Sequence, residues 1–374
     1  MQRILIVRTS AIGDIVFAAA LAAAIRRAHP CAHIAWLLEA GLEGLLSADP
    51  AIDRIHVWPR RHWQALWRAR RFGALARAVA DLRRELSSQR FDTVLDLQGL
   101  LKSAVLARLS GAPRRVGLGG FEGGRWLMSE VLSRGGEDGR ISSEYAHLAQ
   151  YLGLDAGSFV PRLHAPPHAV VRARSMLDEA GVPTGRCAVF APFTTRPQKH
   201  WFEGRWRALA HAVHDELGLM PVVLGGPADA AAAARICEGT PAVALAGRTD
   251  LTDAMALVGE AALVVGVDTG LTHAGVGFAR PTVALFGSTC PYRDAGRANV
   301  RVIWLGLACS PCRRRPSCDG QYDCLAAIDC ARVMAEARAA LAEPSSDPIS
   351  PRPASPRAVS IRPSRWSSTC PPFA

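Results

Sequence analysis

Short apolar runs alternate with helical stretches twice over along this chain, and that alternation constrains the fold more than any other feature. In the first half, residues 4–7, 34–38 and 93–97 read as buried strands, and residues 15–28, 68–86 and 101–109 as helices. In the second half, strands are expected at 188–191, 222–224, 243–245, 263–267 and 283–286. Helices are expected there at 202–217, 228–237, 251–258 and 271–278. Strands and helices in this order build parallel sheets covered by helices. Between the halves, residues 161–167 contain Pro161, Pro166 and Pro167, which resist regular structure and mark a join. The expectation is therefore an α/β chain of two Rossmann-like domains, 1–165 and 166–342. Its 374 residues agree, because single cores stop growing near ~250–300 residues. The glycine-rich, charged stretch 117–139 reads as an active-site loop or a mobile segment. A last helix is expected at about 329–341, and residues 343–374, rich in Pro, Ser and Arg, read as a disordered tail with no chemistry.

Composition narrows the function classes. No apolar run reaches the ~18 residues of a membrane span, and the N-terminus lacks a signal-peptide pattern, so a cytoplasmic location is expected. The net charge of +11 suits nucleic acid, an anionic membrane surface or an acidic small molecule. That charge is spread along the chain without a recognised nucleic-acid motif, and an arginine-rich composition alone produces the same value.

Four motifs follow strands, where open α/β folds place their ligands. In the first, Arg8-Thr9-Ser10-Ala11-Ile12-Gly13-Asp14, Gly13 allows a tight turn and Asp14 occupies an N-cap position. A plain helix cap explains Asp14, and so does a carboxylate serving as general base toward an attacking hydroxyl. The second, Asp268-Thr269-Gly270-Leu271-Thr272-His273, opens a helix after an apolar strand. Its backbone N–H groups, with Thr269, Thr272 and His273, suit a nucleotide diphosphate, although capping alone is the alternative. The third is Phe193-Thr194-Thr195-Arg196-Pro197-Gln198-Lys199-His200-Trp201, where two hydroxyls and a lysine suit phosphate, or form a solvated basic loop. In the fourth, Gly225-Gly226-Pro227-Ala228-Asp229, the glycines admit a nucleoside and Asp229 reaches a ribose hydroxyl, unless this is a simple strand-to-helix turn.

In combination these motifs are more specific than any one alone. The order S-x-x-G-D, then D-x-Q-G-L-x-K-S at Asp96 to Ser103, then T-T-R-x-x-K-H-W, then D-T-G-L-T-H, resembles the ADP-heptose:lipopolysaccharide heptosyltransferases of glycosyltransferase family 9. The resemblance spans roughly residues 1–341. It implies a GT-B fold with two facing domains, an N-terminal one for the acceptor and a C-terminal one for the nucleotide sugar. It implies inversion at the anomeric carbon, no metal and no cofactor. It implies Asp14 as catalytic base, and Thr194, Thr195, Lys199, Asp268, Thr269, Gly270 and His273 on the donor, with Asp229 at the ribose. Toward the acceptor it implies Ser10, Gly13, Arg60, Arg61, Lys102 and Arg125. The implied partners are ADP-heptose and a lipopolysaccharide core of the Kdo–lipid A type. The basic segment Arg60, Arg61, Arg68, Arg70 and Arg71 would attract the acidic acceptor core and also the anionic cytoplasmic face of the inner membrane, and peripheral contact with that membrane and no nucleic acid complete the expectation. The T-T-R-x-x-K-H-W stretch is closer to heptosyltransferase I, and the cysteine run after Cys309 closer to heptosyltransferase II.

Cys309, Cys312, Cys318 and Cys324, with Cys330 to spare, match the count of a four-thiolate metal site but not the spacing of a common zinc ribbon. A reduced loop, or a disulfide formed on isolation, is the other reading. Two alternatives to the leading function stand. One is a transferase of the same architecture using another nucleotide sugar or another surface-glycan acceptor. The other is a basic, cysteine-rich nucleic-acid-binding module, which would leave the diphosphate motifs unexplained.

Overall fold

Strands buried on both faces need continuous apolar runs, and this chain supplies them: every residue of Ile4–Val7 and of Leu263–Val267 is fully buried. The computed structural model describes all residues except 137–138, 158, 290–291, 313–314, 345–359 and 362–374. Chain order begins β1 (Arg3–Val7), α1 (Ile12–Ala28), β2 (His33–Glu39), β3 (Arg54–Trp58), α2 (Arg60–Arg68), α3 (Phe72–Ser87), β4 (Thr93–Asp96) and α4 (Leu101–Leu109). It continues β5 (Arg114–Leu118), β6 (Glu130–Leu132), α5 (Ser143–Tyr151), α6 (Pro167–Glu179), β7 (Cys187–Ala191), α7 (Glu203–Leu217), β8 (Met220–Val223) and α8 (Ala230–Cys237). Then come β9 (Val243–Ala244), α9 (Leu251–Glu260), β10 (Leu263–Val267), α10 (Gly270–Gly277), β11 (Thr282–Leu285), β12 (Val300–Ile303), α11 (Asp323–Ala326) and α12 (Cys330–Ala342).

Two compact units result, each built on its own parallel sheet. The first sheet has the order β3-β2-β1-β4-β5-β6, with Ser360–Ile361 paired beside β3. The second has the order β12-β11-β10-β7-β8-β9. In both, the chain winds outward from the first strand, then returns to pair on that strand's other side. The strand order thus reverses between β1 and β4 in one unit and between β7 and β10 in the other. These switch points open a crevice at the strand C-termini, the place where such sheets bind ligands. Among the described residues no helix is long and apolar enough to cross a membrane.

Several local expectations change. The helix expected over 68–86 is α3, which starts at Phe72, and a further helix, α2, precedes it over Arg60–Arg68 and ends at Arg70, whose φ is 54°. There the Arg70 N–H donates to Trp67 O and the Arg71 N–H to Leu66 O, a helix ending usually made with glycine. An arginine in that role gives no warning in the sequence. The join at 161–167 ends in a further helix, because Pro167 sits in the first turn of α6, where its missing N–H costs nothing. The supposed loop 117–139 contains the end of β5, a 3₁₀ segment Phe121–Leu127 and the three-residue edge strand β6. Residues 8–14 are corrected too: Ala11 is the N-cap of α1 and Asp14 lies one turn in, while Gly13 is in the helix without a left-handed backbone. The expected tail at 343–374 falls, apart from 343–344 and 360–361, outside the described residues.

Candidate active site

At the switch point of the first unit, the chain leaves β1 through Arg8 and Thr9, both buried. The Arg8 guanidinium donates to Leu97 O at 2.9 Å and is ion-paired with Asp14 Oδ2. The same Asp14 oxygen accepts the Ala11 N–H at 3.3 Å, closing the first turn of α1. Asp14 is 43% exposed, so its carboxylate is held from below by a buried cation and is open to solvent above. That is the arrangement a general base needs: fixed in direction and reachable.

The neighbouring strand supplies the support. After β4, Asp96 Oδ1 accepts the N–H groups of Gln98 (3.0 Å) and Gly99 (3.2 Å), and its Oδ2 accepts the Ser103 hydroxyl at 2.9 Å. Gln98 Oε1 in turn accepts the Thr9 hydroxyl at 2.7 Å. Burial pushes the Asp96 carboxyl above its ordinary range, with those three hydrogen bonds opposing. Gly99 has a φ of +66°, and a Cβ on it would lie 2.4 Å from Leu118 O, so only glycine makes this turn. The D-x-Q-G-L-x-K-S motif is thus a buried frame that locks the β1 and β4 loops together.

Lys102 and Arg60 lie close enough to repel. Burial pushes the Lys102 ammonium below its ordinary range and Arg60 adds to the effect, with Glu39 and Glu122 opposing. Arg60 bonds Glu39 Oε2 at 3.2 Å and lies over the Trp58 ring at 5.9 Å. Arg61 is exposed on the next position. Arg125 stacks on Trp126 at 5.6 Å, in the 3₁₀ segment whose Gly124 packs on Leu100 and Ala104 of the α4 region. The structure therefore gathers Asp14, Arg8, Arg60 and Lys102 at one sheet edge, with Ser10 half-buried and Gly13 inside the first turn of α1.

At the switch point of the second unit, Asp268 after β10 is a hub. Its Oδ2 accepts Lys199 Nζ at 2.5 Å and the Thr289 hydroxyl at 2.6 Å, and its Oδ1 lies 3.0 Å from His273 Nε2. His273 Nδ1 lies 3.3 Å from the Tyr292 hydroxyl. Burial alone would raise the Asp268 carboxyl, but the His273 ring and the Lys199 ammonium outweigh it and hold it well below the usual carboxylate range. Lys199 ends a 3₁₀ turn, Pro197–Lys199, after β7. Thr269 caps α10 with an extended backbone and no side-chain cap bond, leaving its hydroxyl and the first-turn N–H groups of Gly270 and Leu271 for an anion.

One donor-side expectation is revised. Thr272 is fully buried and donates to Val267 O at 2.7 Å, so it anchors α10 rather than meeting a ligand. Gly225 makes room for the Phe193 ring: a Cβ there would lie 2.6 Å from Phe193 Cδ2. Asp229 accepts the Gly226 N–H at 2.8 Å through Oδ2. Thr194 is tied through its backbone to His200 Nε2, and Thr195 is exposed beside it. The cysteines at 309, 312, 318 and 324 are free thiols, and among the described residues no three His, Cys, Asp or Glu side chains are gathered as a metal ion requires. Arg8, Gln98, Thr289 and Tyr292 belong to the two networks, and no motif in the sequence assigns them a role.

Gly266, in the middle of β10, lets α10 seat against the sheet. A Cβ there would lie 2.1 Å from Thr272 Oγ1 and 2.8 Å from Ala191 Cβ. Gly266→Ala is expected to destabilise by about 1–3 kcal/mol, as overpacking does, and to weaken nucleotide affinity by displacing Asp268 and Thr269. Chemical denaturation and calorimetric titration check both; unchanged values for the two would contradict this seating.

Comparison with known proteins places the chain in a family. The sequence model of glycosyltransferase family 9 (heptosyltransferase) matches residues 79–323. Lipopolysaccharide heptosyltransferase 1 of Salmonella typhimurium is 28% identical over 311 residues, which is 83% of this chain and 95% of that protein. A structure of the E. coli heptosyltransferase WaaC with ADP-2-deoxy-2-fluoro heptose superposes with a TM-score of 0.65 at 26% identity, covering 81% of this chain and 93% of that one. The family 9 glycosyl transferase from Veillonella parvula shares the fold, with a TM-score of 0.76 at 21% identity over 91% of this chain and 97% of its own. The architecture is the GT-B type, and the chain is a glycosyltransferase enzyme that belongs to glycosyltransferase family 9, the heptosyltransferases.

Proposed function

We propose that this enzyme transfers a heptose from ADP-heptose to the inner core of lipopolysaccharide, inverting the anomeric carbon without a metal ion. The observation that carries the reading is the Lys199–Asp268–His273 hub beside the open N-terminus of α10, at the switch point of the second sheet. A departing ADP carries its charge on phosphate oxygens, and this edge offers an ammonium, the Thr269 hydroxyl and unpaired helix N–H groups to receive it. Thr194, Thr195 and Gly270 line the same donor edge, with Asp229 for the ribose. Asp14 takes the proton of the acceptor hydroxyl as that oxygen bonds to the anomeric carbon, and the bond from that carbon to ADP breaks with its electrons leaving on the diphosphate. Ser10, Gly13, Arg60, Arg61, Lys102 and Arg125 meet the carboxylates and phosphates of the acceptor. The domain expected over 1–165 would then hold the acceptor and the one over 166–342 the donor. Such an acceptor implies work at the cytoplasmic face of the inner membrane.

Thermal unfolding with nucleotides tests the donor. Saturating ADP is expected to raise the melting temperature, since a ligand at 100 times its Kd adds about 2.7 kcal/mol, while UDP leaves it near the ligand-free value. Stabilisation by UDP alone would remove the ADP-heptose reading and favour a family member with another nucleotide sugar.

A further inference from the structure

The tip of the α2–α3 hairpin of the first unit carries an exposed aromatic pair, Trp67 and Phe72, to which the proposed sugar transfer assigns no role. From Pro59 to Ala80 the chain has six arginines and no Asp or Glu. The turn between the helices is flanked by Trp67 and Phe72, 64% and 53% exposed, whose rings meet edge to face at 5.4 Å. Arg68, Arg70 and Arg71 at the same turn, and Arg61 and Arg77 on the two helices, are all exposed. The break at Arg70 that separates the helices is what brings the two rings together at one tip.

A water-exposed aromatic pair ringed by cations has a defined complement. The partner must accept two large apolar rings and offer dense negative charge beside them. The headgroup region of an anionic bilayer does both: aromatic side chains settle at that level, and basic side chains near the surface gain from the negative potential. A second copy of the tip would set arginine against arginine, and a bare nucleic-acid backbone supplies charge without an apolar layer.

We propose that the Trp67–Phe72 tip is a membrane-docking point, inserting both rings among the headgroups of an anionic bilayer while Arg68, Arg70 and Arg71 engage lipid phosphates. The helix behind the tip begins at Arg60, about 12 Å away along its axis, so docking sets the distance between the bilayer and the basic residues near Asp14. The inference rests on the reading of a lipid-linked acceptor for its purpose, but its measurement needs neither donor nor acceptor.

The full chain is sedimented with phosphatidylcholine vesicles prepared with and without phosphatidylglycerol. The wild type is expected to partition onto the phosphatidylglycerol vesicles and to stay in solution with the neutral ones. The double variant W67S/F72S is expected to bind at least about tenfold more weakly, and R68Q/R70Q/R71Q roughly a hundredfold, at about fivefold per surface arginine. W67S/F72S should keep wild-type kcat/KM on a deacylated, soluble acceptor, which also shows that it folds. Equal vesicle binding by W67S/F72S and wild type would overturn the proposal. So would wild-type binding to duplex DNA in preference to vesicles, or a wild-type dimer that this variant abolishes without any vesicle binding. If the vesicle arm fails while transfer to the soluble acceptor proceeds, docking is wrong and the transferase reading stands. If vesicles bind but no heptose moves, the reverse holds.

Discussion

Asp14→Asn is expected to lower kcat for sugar transfer by about 10²–10⁴-fold, the usual contribution of a general base, while ADP binds as before. In barrier terms that is about 3–5 kcal/mol. The substitution is chosen to keep shape: an asparagine oxygen can still accept the Ala11 N–H that Asp14 receives at 3.3 Å, so the first turn of α1 stays closed. What it removes is the ability to take a proton and the ion pair with buried Arg8. Arg8 retains its bond to Leu97 O, and the carboxylate is nearly half exposed, so the loss of stability should be modest and visible as a small drop in melting temperature. ADP titration is the control, because the edge proposed for the nucleotide lies in the other unit. Near-normal turnover with an intact fold would mean that another group accepts the proton, and that Asp14 is an N-terminal capping residue of α1 and nothing more.

The architecture is legible in the sequence wherever a strand is a pure apolar run. Residues 4–7 and 263–267 are such runs, and each is followed by a short polar segment into a helix whose first turn holds a glycine, so both switch points and their first-turn residues can be named in advance. What escapes the sequence depends on long-range contact. Thr289 reaches Asp268 from 21 positions away, and Tyr292 reaches His273 from 19, both from the loop after β11. Only the pairing of β10 with β11 brings them there. Arg8 is quoted in the first motif but has no role until its burial is seen, since arginine is seldom buried unless paired. Local signals also mislead. Prolines at 161–167 announce a join and conceal the start of α6, and an arginine at the left-handed position of the α2 ending hides a break that glycine would have advertised. The cysteine spacing is legible, and burial, with Cys309, Cys312 and Cys318 near enough to add to it, raises the Cys324 thiol, although among the described residues no three metal-ligating side chains are gathered as a metal ion requires.

Lys199→Met should separate the two tasks that converge on Asp268. As the donor to a departing diphosphate, the lysine is expected to be worth about 10²–10³ in kcat, with a parallel loss of ADP affinity. As the partner of a largely buried carboxylate, it also contributes to stability. Asp268 is held well below its ordinary range, so its contribution is fully present above the unfolded value near pH 4 and fades as pH falls below it. Removing the lysine leaves Asp268 with only His273 and Thr289, and breaking a buried pair in this way costs about 3–5 kcal/mol when the remaining charge is uncompensated. The two surviving partners should hold the loss at neutral pH to the lower end of that range, and the difference from wild type should shrink below pH 4. K199M/D268N then discriminates between the tasks. Neutralising the carboxylate should restore most of the melting temperature and none of the turnover, because no ammonium remains to meet the phosphate oxygens. Recovery of turnover along with stability would show that Lys199 acts only by holding Asp268 in place, and the positive charge at the leaving group would have to come from elsewhere.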